Sequence, residues 1–146
     1  MIKFKLQRLG GETVEFDAKS VIEFPAGLPG FETCKKFKLF HEEGKTTVLF
    51  LQSLDNPDVL FSLGDPALLN LSYEVLLTDD EQKLLDSAPG DELLLLVIVY
   101  KDKNDEANPN IVKVNTLGPI VLNVTKRRGM QKVLKEIDTQ VAIRGV

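Results

Sequence analysis

The sequence predicts a mainly β protein: an antiparallel β-barrel or flattened pseudo-barrel with one short inserted helix at about residues 78–88. Three observations carry that expectation. About ten short apolar or β-branched segments recur at close spacing, separated by Gly, Pro or charged residues, as in closed antiparallel sheets. The first of them alternates strictly between apolar and polar positions, the two-residue period of a half-buried strand. One stretch alone carries both a strong helix start and a helix stop.

Taken in order, Ile2, Phe4 and Leu6 face one way while Lys3, Lys5 and Gln7 face the other. Gly10-Gly11 tolerates the positive φ angles of a tight turn, and Val14 and Phe16 resume the alternation, so the first two strands form a hairpin. Val21 to Phe24 is a third, short strand. In the stretch that follows, Pro25, Gly27, Pro29 and Gly30 exclude helix and regular strand, and Gly27, Pro29, Gly30 and Phe31 are read as a rigid loop motif that sets backbone shape. Phe37 to Phe40 and Thr46 to Leu51 read as strands joined by the polar residues His41 to Lys45, and Val59 to Leu63 as the next strand.

Asp65-Pro66 has the form of an N-cap followed by proline at the first helical position, giving one turn over Ala67 to Leu69. Thr78-Asp79-Asp80-Glu81 matches a capping box, with three acids at the positive end of the helix dipole. Leu84, Leu85 and Ala88 then face the core until Pro89-Gly90 stops the helix. Leu93 to Tyr100 is apolar at successive positions, as expected of a central strand covered on both faces. Lys101 to Asn110 reads as an exposed loop, Ile111 to Val114 as a returning strand, and Pro119 to Val124 as another. Pro119 stands at that strand's first position, where a missing donor is tolerated. Gly129 precedes Met130 to Leu134, whose pattern fits strand or helix.

A chain of 146 residues with 43% apolar residues closes one core, so a single domain over 1–146 is expected. The longest apolar run, Leu93 to Tyr100, falls far short of the roughly 20 residues of a membrane-spanning helix. The first residues lack the apolar segment and cleavage site of a secretory signal. One cysteine, Cys34, forms no internal disulfide. Together these features place the protein in the cytoplasm, away from membranes. The net charge of −4 hides a segregation: Asp55 to Glu106 holds thirteen Asp or Glu against three Lys, a local balance of −10, while the residues after Asn123 sum to +4. An acidic surface repels nucleic acid and attracts basic protein surfaces.

Catalytic constellations are poorly supplied. A lone histidine, His41, in a charged turn cannot assemble a triad or a multi-histidine metal site. Cys34 lies near Lys35 and Lys36 without a base, which fits a half-buried structural thiol. The acidic pairs Asp55/Asp58 and Asp79/Asp80 lack the spacing of a calcium loop, so no metal or cofactor is implied. Gly27-Leu-Pro-Gly30 outlines a KH-type backbone grip without its flanking helices, and Lys126-Arg127-Arg128 is a basic cluster without interleaved aromatics. A nucleic-acid-binding β-barrel using residues 126–128 is therefore the alternative to a protein-binding one.

Six segments, in order, resemble the family of flagellar assembly factors called FliW. They are Gly27-Leu-Pro-Gly-Phe31, Phe50-Leu-Gln-Ser-Leu54, Asp65-Pro66, Tyr73-Glu-Val75, Asn115-Thr-Leu-Gly-Pro-Ile-Val-Leu-Asn123 and Lys126-Arg-Arg-Gly-Met-Gln131. Phe50 departs toward phenylalanine where Trp or Tyr is common, and Gly118 stands where alanine is common. The resemblance implies a non-enzymatic switch with two protein partners, flagellin and the carbon storage regulator CsrA, a translational repressor of flagellin. It also implies that the protein antagonises CsrA unless unsecreted flagellin holds it. Candidate partner contacts are Asp55, Pro57, Asp58, Tyr73 and Glu74, with Arg127 and Arg128 on a second surface. Pro119 and Gly129 join Gly27 to Phe31 as residues that shape the backbone.

Overall fold

A computed structural model describes the chain except residues 42–47, 74, 102, 103, 108, 135–140 and 144–146, and except the side chains of residues 73 and 141–143. The fold is mainly β with one short α-helix, as the sequence predicts. β1 (Ile2–Leu6) and β2 (Glu12–Phe16) form an antiparallel two-stranded sheet. Their connection spans residues 7–11, longer than the two-glycine turn expected. Gly10 and Gly11 take φ of +84° and +74°, and the Gly11 N–H donates to the Leu6 carbonyl at 2.9 Å.

Seven strands form a closed ring in the order β3, β4, β5, β6, β8, β9, β10. They are β3 (Ile22–Glu23), β4 (Lys36–His41), β5 (Val48–Ser53), β6 (Leu60–Gly64), β8 (Leu93–Lys101), β9 (Val112–Asn123) and β10 (Arg128–Gln131). Between β6 and β8 lies β7 (Leu71–Tyr73), which pairs with β11 (Val141–Ile143) in a separate sheet. Neighbours within the ring are antiparallel except at the closing seam, where Arg128 of β10 lies parallel to Glu23 of β3. The bond at that seam runs from the Glu23 N–H to the Arg127 carbonyl, 3.0 Å.

Alternation along each strand sends Phe37, Leu51, Leu63, Leu96, Ile120 and Leu122 into the ring, where they join Ile22, Phe24, Leu28 and Cys34. Cys34 is fully buried rather than half-buried. Opposite-face residues of β4 and β5, Lys38 and Gln52, are register partners, and with Phe40 they line a cavity shared with Phe4, Leu6, Val14 and Phe16 of the hairpin. The hairpin therefore covers this part of the outer wall, and the desolvation it imposes lowers the Lys38 pKa. His41, expected in a turn, is the last residue of β4 and pairs with Leu49; residues 42–45 of that expected connection, and Thr46 at the start of the expected strand, lie outside the described residues.

Asp65 caps a single 3-10 turn (Pro66–Leu69), its carboxylate accepting from the Ala67 N–H at 2.9 Å. The helix α1 (Asp79–Leu84) is shorter than the 78–88 expected, although its start is as read: both capping-box bonds between Thr78 and Glu81 are present, at 2.8 and 3.2 Å. It ends early because Asp86 takes φ +50°, its N–H donating to the Lys83 carbonyl and that of Ser87 to the Gln82 carbonyl. This is the double closure of a Schellman motif, with aspartate in place of the usual glycine. Ala88 is consequently exposed, while Leu85 packs fully buried on the outer face of the ring against Val121 and Met130.

The two strands expected over 111–124 are one, β9, with Pro119 well inside it. Its missing N–H is tolerated because the β8–β9 register jumps there: Ile98 pairs with Asn115 but Leu96 with Ile120, so 116–119 bulge opposite Val97 alone. The carbonyls of Leu117 and Pro119 instead accept from Leu134 and Lys132 at 2.8 and 2.9 Å.

An ion pair of 2.7 Å joins Lys132 to Glu81 and ties α1 to the segment after β10. Burial works to raise the Glu81 pKa, but the hydrogen bonds from Lys132 and Thr78 outweigh it and hold the carboxyl below its ordinary range. Asp91 is lowered likewise, first by the Asn123 amide and then by the Ala88 N–H. A carboxylate depressed in the folded state contributes its stability in full above its unfolded pKa, and loses it as pH falls through the folded value. Stability is thus expected to decline below about pH 4, and Lys132→Met to flatten that decline; denaturation midpoints from pH 7 to pH 2.5 measure both.

Candidate functional site

The backbone-shaping loop comes first in the chain. Leu28-Pro29-Gly30-Phe31 closes through the Phe31 N–H and the Leu28 carbonyl at 2.7 Å, with Gly30 at φ +84°, the pattern of a type II turn with proline and glycine at its two centres. Gly27 adopts φ +66°, and a Cβ there would stand 2.7 Å from the Glu32 backbone. The turn seats Leu28 in the core and sets the half-exposed Phe31 ring edge-on to Phe61, 5.4 Å between centroids.

Asp55, Pro57 and Asp58 occupy the connection between β5 and β6, but they play different parts. The Asp55 carboxylate accepts from the backbone N–H groups of Lys35 and Lys36 at 2.7 and 2.9 Å, clipping the loop to the start of β4. Pro57 offers its carbonyl to the buried Gln52 amide at 3.3 Å. Asp58 is exposed, and its carboxylate has no partner among the described residues; the Arg8 guanidinium reaches only its backbone carbonyl, at 3.5 Å. Tyr73 ends β7 in a different sheet from that loop, and Glu74 lies outside the described residues.

Arg127 and Arg128 stand at the ring seam, Arg127 at the end of the turn from β9 and Arg128 at the start of β10. Asn123 holds that turn. Fully buried, it donates from Nδ2 to the Leu85 carbonyl at 2.9 Å and to Asp91 Oδ2 at 3.0 Å, and accepts from the Lys126 N–H at 3.2 Å. Lys126 Nζ completes the knot with bonds of 3.2 Å to Asp91 Oδ2 and to the Asp86 carbonyl. Arg127 follows in the left-handed region at φ +53°.

Lys126, Arg127 and Arg128 line an open groove of about 620 Å³ together with Lys19, from the 3-10 turn Ala18–Ser20, and Lys36, from the start of β4. Lys126 is paired with Asp91, whereas the side chains of Arg127, Arg128, Lys19 and Lys36 have no hydrogen bond or ion pair among the described residues, and Glu23 is the acid among the lining residues. Lys19 and Lys36 were missed in the sequence because they lie about a hundred positions from Arg127, and only ring closure at β3 and β10 gathers them. No group of three or more His, Cys, Asp or Glu suited to a metal occurs among the described residues, and no described helix is long and apolar enough to cross a membrane.

Comparison with known proteins gives a consistent picture. A family model described as FliW protein matches residues 5–144. The flagellar assembly factor FliW of Azoarcus sp. (strain BH72) is 44% identical over 134 residues, which cover 90% of this chain and 92% of that one. The factor of the same name from Chromobacterium violaceum is 34% identical over 143 residues, covering 94% and 96%. A crystal structure of the flagellar assembly factor FliW superposes with a TM-score of 0.78 at 29% identity, covering 98% of this chain and 94% of that chain.

Proposed function

The chain belongs to the FliW family of flagellar assembly factors, and on that premise we propose that it is a non-enzymatic regulator in the cytoplasm that binds two proteins in turn. Flagellin awaiting export holds it. Once flagellin has left, the protein binds CsrA and relieves repression of flagellin synthesis. The observation that supports this reading is a likeness to that family running over residues 5–144 in sequence and over 98% of the chain in structure.

The surfaces suit such work. Charges of both signs, the exposed Asp58 on the β5–β6 connection and the partly exposed Arg127 and Arg128 at the seam, would speed encounter with oppositely charged partners, an effect that weakens with salt. We assign Asp55, Pro57, Asp58, Tyr73 and Glu74 to one partner surface and Arg127 and Arg128 to another.

Labelled flagellin and labelled CsrA, titrated separately and then together, test the switch. Each is expected to bind alone and to exclude the other; binding of neither would sink the reading. Asp58→Lys is expected to weaken CsrA binding at least tenfold, about 1.4 kcal/mol, with an unchanged melting temperature. Asp55→Lys cannot serve as the probe, because it also frees the Lys35–Lys36 backbone from its clip.

A further inference from the structure

Beside the basic groove lies a second cavity of about 410 Å³, lined by the apolar Ile22, Leu39, Leu122 and Val124 together with Ser20 and Asp17, whose carboxylate accepts from the Lys19 N–H at 2.9 Å. Lys19 and Arg127 line both, so the two open on either side of the same pair of cations. Ile22 and Leu122 belong to the core of the ring and Leu39 packs on it, so this cavity gives a ligand access to the edge of the core itself. Val124, the first residue after β9, lines this cavity and is 44% exposed.

We propose that this double groove docks an acidic segment of a protein partner, one that carries carboxylates for Arg127, Arg128, Lys36 and Lys19 and a large apolar side chain for the neighbouring cavity. The inference rests on the protein-binding reading above and deepens it by naming the chemistry of one partner.

Charge complementarity decides the sign of the occupant. Arg127 and Arg128 are partly exposed and line the groove, and neither side chain has a carboxylate partner among the described residues. A segment that supplies bidentate carboxylates gives them one. The Arg127 backbone is moreover fixed, since its carbonyl is bound to Glu23 across the seam and the preceding residue is knotted to Asp91, so on this side of the interface binding orders side chains and not backbone.

The lining decides between polypeptide and nucleic acid. Among the described residues, Phe4 is the one aromatic in either cavity, and it also lines the cavity beneath the hairpin. Single-stranded nucleic acid draws on stacked bases as well as phosphates. Glu23 would also oppose a continuous run of phosphates, whereas a peptide can place a neutral residue opposite it. The apolar cavity, which no phosphodiester backbone would fill, fits a leucine-sized side chain.

Fluorescence anisotropy on the full chain tests this, with a fluorescein-labelled twelve-residue peptide of alternating Glu and Leu. Two control peptides exchange Glu for Gln or Leu for Ser, and a single-stranded RNA of twelve nucleotides completes the set. Saturable binding of the Glu-Leu peptide is expected, at least tenfold weaker for either control and for R127Q/R128Q, with no saturable binding of RNA. RNA bound as tightly as the Glu-Leu peptide, equal binding of the Glu-Ser control, absence of peptide binding, or an undiminished affinity in R127Q/R128Q would each overturn the proposal. Should that double variant unfold, K19Q/K36Q reads the same groove from outside the seam turn. Titrating the folded variant against flagellin and CsrA separates the two levels: loss of one partner supports the groove, and loss of neither overturns it while leaving the regulatory reading intact. A wild-type chain that binds neither partner overturns the regulatory reading itself.

Discussion

Gly129→Ala is expected to destabilise the protein by about 3 kcal/mol, the upper range for overpacking a core that cannot relax. Gly129 sits in β10 on the ring's inner face, where a Cβ would stand 2.5 Å and 2.6 Å from Phe24 Cζ and Cε1 and 2.9 Å from Leu122 Cδ2. None of these atoms can retreat easily. Phe24 is fully buried with its ring edge-on to Phe37, 4.9 Å between centroids, and Leu122 faces Gly129 directly across the β9–β10 pair. The same strand closes the ring through Arg128, so a shift of β10 would also disturb the groove. Urea denaturation measures the loss, and Phe24→Leu combined with Gly129→Ala should recover at least about 1 kcal/mol relative to additivity. A Gly129→Ala chain as stable as wild type would show that the wall yields at the seam.

The second large effect is expected at Asn123. Truncation to alanine removes two donors and one acceptor from a fully buried position, leaving the Leu85 carbonyl and the Lys126 N–H without their bonds and Asp91 with one fewer. Unsatisfied buried groups of this kind cost about 1–3 kcal/mol each, so a total near 3 kcal/mol is expected after partial rewetting. Asn123→Asp should be worse. It sets a second carboxylate beside Asp91 and turns an acceptor toward the Leu85 carbonyl. Thermal denaturation gives the ranking, wild type above Asn123→Ala above Asn123→Asp. Because Asn123 holds the turn that presents Arg127, groove binding should weaken in Asn123→Ala well below its melting temperature. Unchanged affinity there would mean that the seam bond to Glu23 suffices to place the arginines.

Both effects involve residues that sit within segments recognisable from sequence, yet neither role can be read there. Gly129 was read as a residue that shapes the backbone. Its φ is not in the left-handed region, and what demands glycine is the Phe24 ring lying against the strand. Asn123 was simply the end of a strand. Arg127 and Arg128 were singled out for their charge, but Lys126 beside them is committed to Asp91, and the cations that complete the groove come from positions 19 and 36. Asp55 and Asp58 are equivalent acids in the sequence, but the Asp55 carboxylate holds the Lys35 and Lys36 backbone while that of Asp58 has no partner among the described residues.

What the sequence determined by itself is everything set by neighbours a few residues apart. The alternation of Ile2, Phe4 and Leu6, the capping box of Thr78 and Glu81, the Asp65-Pro66 start and the Leu28 to Phe31 turn are decided by side-chain period, fixed φ and bonds spanning two or three residues. The tertiary structure alone decided how β9 carries Pro119 through its bulge and how β3 and β10 close the ring. Those outcomes depend on register and packing between segments up to a hundred residues apart, and no local preference encodes them. The groove belongs to the second kind, because Lys19 and Lys36 become neighbours of Lys126, Arg127 and Arg128 only when the seam closes.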